Sequence, residues 1–203
     1  MLDVRLYALL DPERAGGRDL AALGREVVAG GATLVQLRDK HGSTRRLIDE
    51  TRAIKAALAS SGVPVLVNDR VDVALAARAD AVHLGQTDLP IEAARSLAGA
   101  RLRIGVSTHD VAQVERAVAA GADYLGFGPI FATTTKANPD PVQGLDGLRA
   151  AVAAARGVPI VAIGGIAPEH ARAIYAAGAS AICAISAVNS AADPAAAARR
   201  FAP

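Results

Sequence analysis

Eight short apolar runs, rich in β-branched residues, recur along the chain, and each is followed by a longer, often Ala-rich stretch with helical periodicity. The short runs read as strands near residues 4–10, 33–37, 65–67, 81–84, 103–106, 124–127, 160–163 and 181–185. Strands this short and apolar are buried on both faces, an environment supplied by a parallel sheet covered with helices. Eight strand–helix units predict a closed (β/α)₈ barrel, the TIM-barrel architecture of the α/β class. The competing architecture, an open doubly wound sheet, calls for a glycine fingerprint after the first strand. That turn reads Asp11-Pro12-Glu13-Arg14-Ala15-Gly16-Gly17, which is not one.

Internal echoes support the repeat. Gly31-Ala32-Thr33, Gly121-Ala122-Asp123 and Gly178-Ala179-Ser180 each precede an apolar run, as do Gly62-Val63-Pro64 and Gly157-Val158-Pro159. A glycine in this position ends a helix, and a proline then blocks its continuation while tolerating a strand start. Asp193-Pro194 reads as the cap and first residue of a last helix. With 203 residues and no linker-like break in composition, residues 1–203 are expected to form one barrel domain.

A net charge of +2, from 22 basic and 20 acidic residues, argues against nucleic-acid or membrane binding. Cys183 is the only cysteine, which excludes an internal disulfide and favours a cytoplasmic address, and the first residues lack a signal-peptide layout. The uncharged stretch 173–192 imitates a membrane span but is dominated by alanine and contains Gly178, Ser180, Ser186, Asn189 and Ser190. A helix end, a buried strand and a loop account for it better. No feature of the sequence sets an oligomeric state.

Barrel active sites lie at the C-terminal ends of the strands, and chemically able residues collect there. Gln36, Arg38 and Lys40 follow the second strand and share one face of an extended chain, a good anion cradle; an Arg paired with a rim carboxylate is the structural alternative. Asn68 and Asp69 follow the third strand and Asp88 the fourth, so two carboxylates from neighbouring strands can meet. Mg²⁺ is typically held by one or two carboxylates plus substrate phosphates. Each of these aspartates can instead cap a helix, near Arg70 or at Pro90. His83 reads as a packed barrel histidine. Ser107 and Thr108 follow the fifth strand, and Thr108 reads as a helix cap. His109 is a possible base without a nameable partner, and Cys183 reads as core. A long connection from Phe127 to about Gly144 carries Thr133, Thr135 and Lys136 and has the character of a functional loop. Gly164-Gly165 and Ser186 follow the last two strands, where barrels frequently bind phosphate. Together these residues suggest an enzyme with two anionic subsites, one of them bridged by a metal.

Several segments, in order along most of the chain, resemble the thiamine-phosphate synthase family. They are Gln36-Leu37-Arg38-Asp39-Lys40, Asn68-Asp69-Arg70-Val71-Asp72, the run from His83 to Pro90, Gly105-Val106-Ser107-Thr108-His109, the run from Gly126 to Phe131, Thr133-Thr134-Thr135-Lys136 and Ala162-Ile163-Gly164-Gly165-Ile166. The resemblance implies transfer of an aminopyrimidinylmethyl group from its diphosphate to the nitrogen of a (carboxy)hydroxyethylthiazole phosphate, by a dissociative path with Mg²⁺. It implies that Gln36, Leu37, Arg38, Asp39, Lys40, Asn68, Ser107 and Lys136 bind the pyrimidine diphosphate, with Arg38, Ser107 and Lys136 acting in catalysis. Asp69 and Asp88 would hold the metal, and Thr133, Thr134, Thr135, Gly165, Ile185 and Ser186 the thiazole phosphate. The segment Ala137-Asn138-Pro139 departs from the more charged continuation expected after Lys136. A thiazole tautomerase-like isomerase and a non-catalytic barrel that binds thiamine precursors are the alternatives; the complete set of carboxylates and cations argues for the synthase.

Overall fold

The computed structural model describes residues 5–133 and 140–202. Eight strands, all parallel, close on themselves in sequence order: β1 (Leu6–Leu10), β2 (Ala32–Leu37), β3 (Val65–Asn68), β4 (Ala81–Leu84), β5 (Arg103–Thr108), β6 (Tyr124–Phe127), β7 (Ile160–Ala162) and β8 (Ala181–Ala184). Pairing of β1 with β8, Leu6 opposite Ile182, completes the ring. Around it lie α1 (Leu20–Ala29), α2 (Thr44–Leu58), α3 (Val71–Ala77), α4 (Ile91–Ala98), α5 (Val111–Ala119), α6 (Gly144–Ala154), α7 (Ala171–Ala176), the short α8 (Ser186–Asn189) and α9 (Pro194–Arg199). No helix among the described residues is long and apolar enough to cross a membrane.

Successive side chains on a strand point to opposite faces, so the barrel sorts its residues with a period of two. On β1, Leu6, Ala8 and Leu10 face the helices, whereas Tyr7 and Leu9 face the axis. On β2, Val35 and Leu37 face outwards and Leu34 inwards. The outer layer is closed largely by small side chains; Ala74, Ala94, Ala98 and Ala151 are fully buried. The glycines of the Gly-Ala echoes, Gly31, Gly121 and Gly178, have φ of 102°, 84° and 97° and terminate their helices as expected. Pro64 and Pro159 stand just before β3 and β7, where their carbonyls accept from Val35 and Leu125 and their missing N–H groups cost nothing in the ladder. Asp193 caps α9 by accepting from the Ala196 N–H.

The strand limits differ from expectation in ways that matter for the site. Strand β5 runs on to Thr108, because Ser107 and Thr108 pair with Gly126 and Phe127 of β6. The Thr108 hydroxyl consequently donates to the Gly126 carbonyl inside the sheet, and Asp110, not Thr108, caps α5. Strand β8 stops at Ala184, where Ile185 (φ −119°, ψ −88°) turns the chain into α8.

One residue ties the end of β1 to the end of β8. The buried Asn189 side chain donates to the Leu9 and Ile185 carbonyls and accepts from the Asp11 N–H, at 2.5, 2.8 and 2.9 Å. Asn189→Ala would leave the Leu9 carbonyl and the Asp11 N–H without this partner, at about 1–3 kcal/mol for such a group, whereas the Ile185 carbonyl keeps the Val188 and Asn189 N–H groups. Urea unfolding should show a loss of about 2–4 kcal/mol, against about 1 kcal/mol for removal of the Asp193 cap. An Asn189→Ala loss no larger than that of Asp193→Ala would contradict this role.

Candidate active site

The C-terminal ends of the strands surround a cavity of about 830 Å³. Gln36, Arg38 and Lys40 line it together, as expected of alternate residues on an extended chain. Asn68, Asp69, Asp88 and Ser107 line it from β3 to β5, and Thr133, Gly165, Ile185 and Ser186 from the opposite arc. The side chains of Leu37 and Asp39 are not brought into it. Leu37 packs among the outward-facing core, and the Asp39 carboxylate accepts from the His41 and Gly42 N–H groups of its own loop. Thr134, Thr135 and Lys136 fall outside the described residues.

Asp69 reaches the cavity through a strained turn. Its φ of 62° lies in the left-handed region, in which aspartate is more tolerable than most residues. The Asp69 N–H donates to the His83 carbonyl at 2.8 Å, and its carboxylate accepts from Lys40 Nζ at 2.6 Å. It does not cap α3, whose N-terminus at Arg70 has no side-chain cap. Asp88 likewise does not cap α4; its carboxylate accepts from the Gly85 N–H at 2.7 Å. The two aspartate carboxyls lie within hydrogen-bonding reach of each other. Burial first, then the Asp69 carboxyl, push Asp88 above the usual carboxylate range, while the Gly85 N–H and Lys40 pull it down.

The Arg38 guanidinium is held by Asp11, at 2.5 Å. Asp11 is almost fully buried and also accepts from the Glu13 N–H. The sequence reading missed it, although it is the first residue beyond β1 and thus meets the strand-end criterion used for the others. Arg38 pairs with a rim carboxylate, the structural alternative, and also lines the cavity.

His83 is more than a packed histidine. Its Nδ1 lies 2.8 Å from the Tyr124 hydroxyl and its Nε2 2.9 Å from Ser107 Oγ. Its ring is enclosed by the barrel wall with one part open to the cavity, and burial pushes its pKa down to about 4 against the opposing influence of Asp69, so the ring is neutral at physiological pH. His109 has partners the sequence did not disclose: Nδ1 lies 2.6 Å from the Gly128 carbonyl and Nε2 lies 3.4 Å from Asp140. Cys183 is buried in the barrel interior and its thiol is raised by burial, as befits core rather than nucleophile.

The second arc is backbone-rich. Gly165 has φ of 63°, and a Cβ there would collide with the Ala132 carbonyl and Phe131. The loop after β6 is fixed at this point by donation from the Ile130 and Phe131 N–H groups to the Ile163 and Gly164 carbonyls, 2.9 and 3.0 Å. Cavity-lining backbone beside Gly165 and at the start of α8 at Ser186 suits a phosphate group.

A family model described as thiamine monophosphate synthase matches residues 6–188. The chain is 49% identical over 201 residues to a thiamine-phosphate synthase of Chloroflexus aurantiacus, covering 99% of this chain and 92% of that one. It is 46% identical over 202 residues to a thiamine-phosphate synthase of Laribacter hongkongensis, covering 99% and 95%. Among solved structures, it superposes on a thiamine phosphate pyrophosphorylase from Pyrococcus furiosus with a TM-score of 0.88 at 36% identity, over 98% of this chain and 94% of the other.

A carboxyl whose pKa is higher folded than unfolded favours folding while protonated, and that contribution is lost as pH rises through the raised value. Asp88→Asn should therefore stabilise the metal-free protein near neutral pH, and the gain should vanish below about pH 4. Thermal melts at the two pH values check this; a gain independent of pH would contradict the carboxyl pairing.

Proposed function

The chain belongs to the thiamine monophosphate synthase family and is an enzyme of that kind; from this premise we propose the chemistry of its site. The substrates are 4-amino-5-hydroxymethyl-2-methylpyrimidine diphosphate and a hydroxyethylthiazole phosphate, in its plain or carboxylated form. The C–O bond to diphosphate breaks first, assisted by the electron-rich aminopyrimidine ring. The thiazole nitrogen then captures the cation, forming the C–N bond of thiamine phosphate; the carboxylated thiazole also loses CO₂.

The observation that carries this reading is the meeting of Asp69 and Asp88 beside Lys40 and Arg38 at one mouth. Two facing carboxylates, with no cluster of three or more His, Cys, Asp or Glu among the described residues, fit a hard cation that also takes oxygen from water and substrate phosphate. Asp69 and Asp88 would hold Mg²⁺, which supplies positive charge against the departing diphosphate. Arg38, oriented by Asp11, and Lys40 face the same charge, and Lys136 has the same role by family resemblance. Such preorganised contacts are each worth roughly 10²–10³ in rate. Gln36, Asn68 and Ser107 orient the pyrimidine. Gly165, Ile185 and Ser186, with Thr133 to Thr135, bind the thiazole phosphate, holding the nucleophile against the cation and excluding water from it.

The direct test is a coupling assay with both phosphorylated substrates, with and without Mg²⁺. Product and diphosphate should appear together and both should stop with EDTA. Binding without diphosphate release, or activity on the thiazole alone with EDTA present, would support a sensor or a tautomerase instead. Asp69→Asn should lower turnover about 10²–10³-fold at saturating substrate without unfolding the barrel; full activity would remove its metal role. Gly165→Val should raise the KM for the thiazole phosphate, and equal KM values for the variant and the wild type would move that subsite elsewhere.

A further inference from the structure

Five side chains form an unbroken line of hydrogen bonds across the barrel interior at the floor of the cavity, which Tyr7, Gln36, His83 and Ser107 line. Gln36 Nε2 donates to the Tyr7 hydroxyl at 2.5 Å, and Tyr7 Oη lies 3.1 Å from Tyr124 Oη. Tyr124 Oη lies 2.8 Å from His83 Nδ1, and His83 Nε2 lies 2.9 Å from Ser107 Oγ. The members come from β2, β1, β6, β4 and β5, so the line could not exist without barrel closure.

The line has a direction. An amide nitrogen only donates, and a hydroxyl carries one proton. Tyr7 therefore accepts from Gln36 and sends its own proton to Tyr124. Tyr124, accepting there, donates to His83 Nδ1. A ring nitrogen that accepts carries no proton, so the His83 proton is on Nε2 and is donated to Ser107 Oγ. The Ser107 proton then has no place inside the line and is turned towards the cavity. Space for the line is built into the sheet. A Cβ on Gly105 would overlap the Tyr124 ring, and one on Gly126 would stand 3.2 Å from His83 Cε1.

We propose that Tyr7, Tyr124 and His83 are positioning residues that lock Ser107 as a hydrogen-bond donor into the pyrimidine subsite. The site then accepts a heteroaromatic ring that offers a nitrogen lone pair at Ser107 and disfavours one that presents N–H there, such as the imino tautomer of the same ring. The inference rests on the reading of Ser107 as part of that subsite. With the Gln36 amide turned over, every bond in the line would reverse and Ser107 would face the cavity as an acceptor, so the two polarities are experimentally opposite.

The ring proton of His83 reports the polarity in the free, wild-type protein. Long-range ¹H–¹⁵N correlation spectra should show the Nε2–H tautomer; the Nδ1–H tautomer would overturn the proposal whatever the activity. Tyr124→Phe keeps the ring and removes the link. It should raise the KM for pyrimidine diphosphate about tenfold, roughly the loss of one neutral hydrogen bond, and leave the thiazole phosphate KM unchanged. An unchanged pyrimidine KM, or equal shifts for both substrates, would reduce the line to packing. Absence of coupling activity in the wild type would instead refute the functional reading, which the tautomer measurement does not touch.

Discussion

Closure of a parallel sheet is the constraint on which everything else depends. With all strands pointing one way, every C-terminal end opens at the same mouth, and the period of two decides which side chains face it. Gln36, Arg38 and Lys40 reach the cavity and Leu37 does not for this single geometrical reason. The same closure joins the first and last strands through Asn189, whose three hydrogen bonds fix the turn bearing Asp11 and hence the guanidinium of Arg38.

Among the described residues, the mouth brings like charges together. Asp69 is forced into a left-handed conformation, and its carboxyl is set beside that of Asp88. Backbone strain of this kind costs on the order of 1–3 kcal/mol and persists only where the surrounding structure imposes it. Lys40 partly offsets the like charges. The proposed cation and diphosphate would complete such a site, which fully satisfied ion pairs would leave with nothing to offer them.

The sequence made the architecture legible because helix and strand periods alternate cleanly and glycine or proline punctuates each transition. The site was legible as far as it follows strand ends: Asp69, Asp88, Arg38 and Ser107 all arrive where that rule puts them. What escaped were partners that only closure brings together. Tyr7 and Tyr124 are separated by 117 positions and lie inside apolar strands, where nothing local distinguishes a hydrogen-bonding tyrosine from a space-filling one. Thr108 was misread because sheet pairing to β6 outcompeted helix capping. The alternative in which Asp69 and Asp88 cap helices fails for a related reason: their side chains are turned to the mouth, not along the helix axes.

Asp69 and Asp88 would together hold the cation that offsets the charge of the diphosphate at this mouth. Mn²⁺ substituted for Mg²⁺ puts this to the test by electron–nuclear double resonance. With pyrimidine diphosphate bound, ³¹P coupling of the strength expected for phosphate oxygen in the metal's inner shell should appear, and it should be absent from both the Asp69→Asn and Asp88→Asn variants. Bound Mn²⁺ without ³¹P coupling, or coupling that survives loss of both carboxylates, would contradict it.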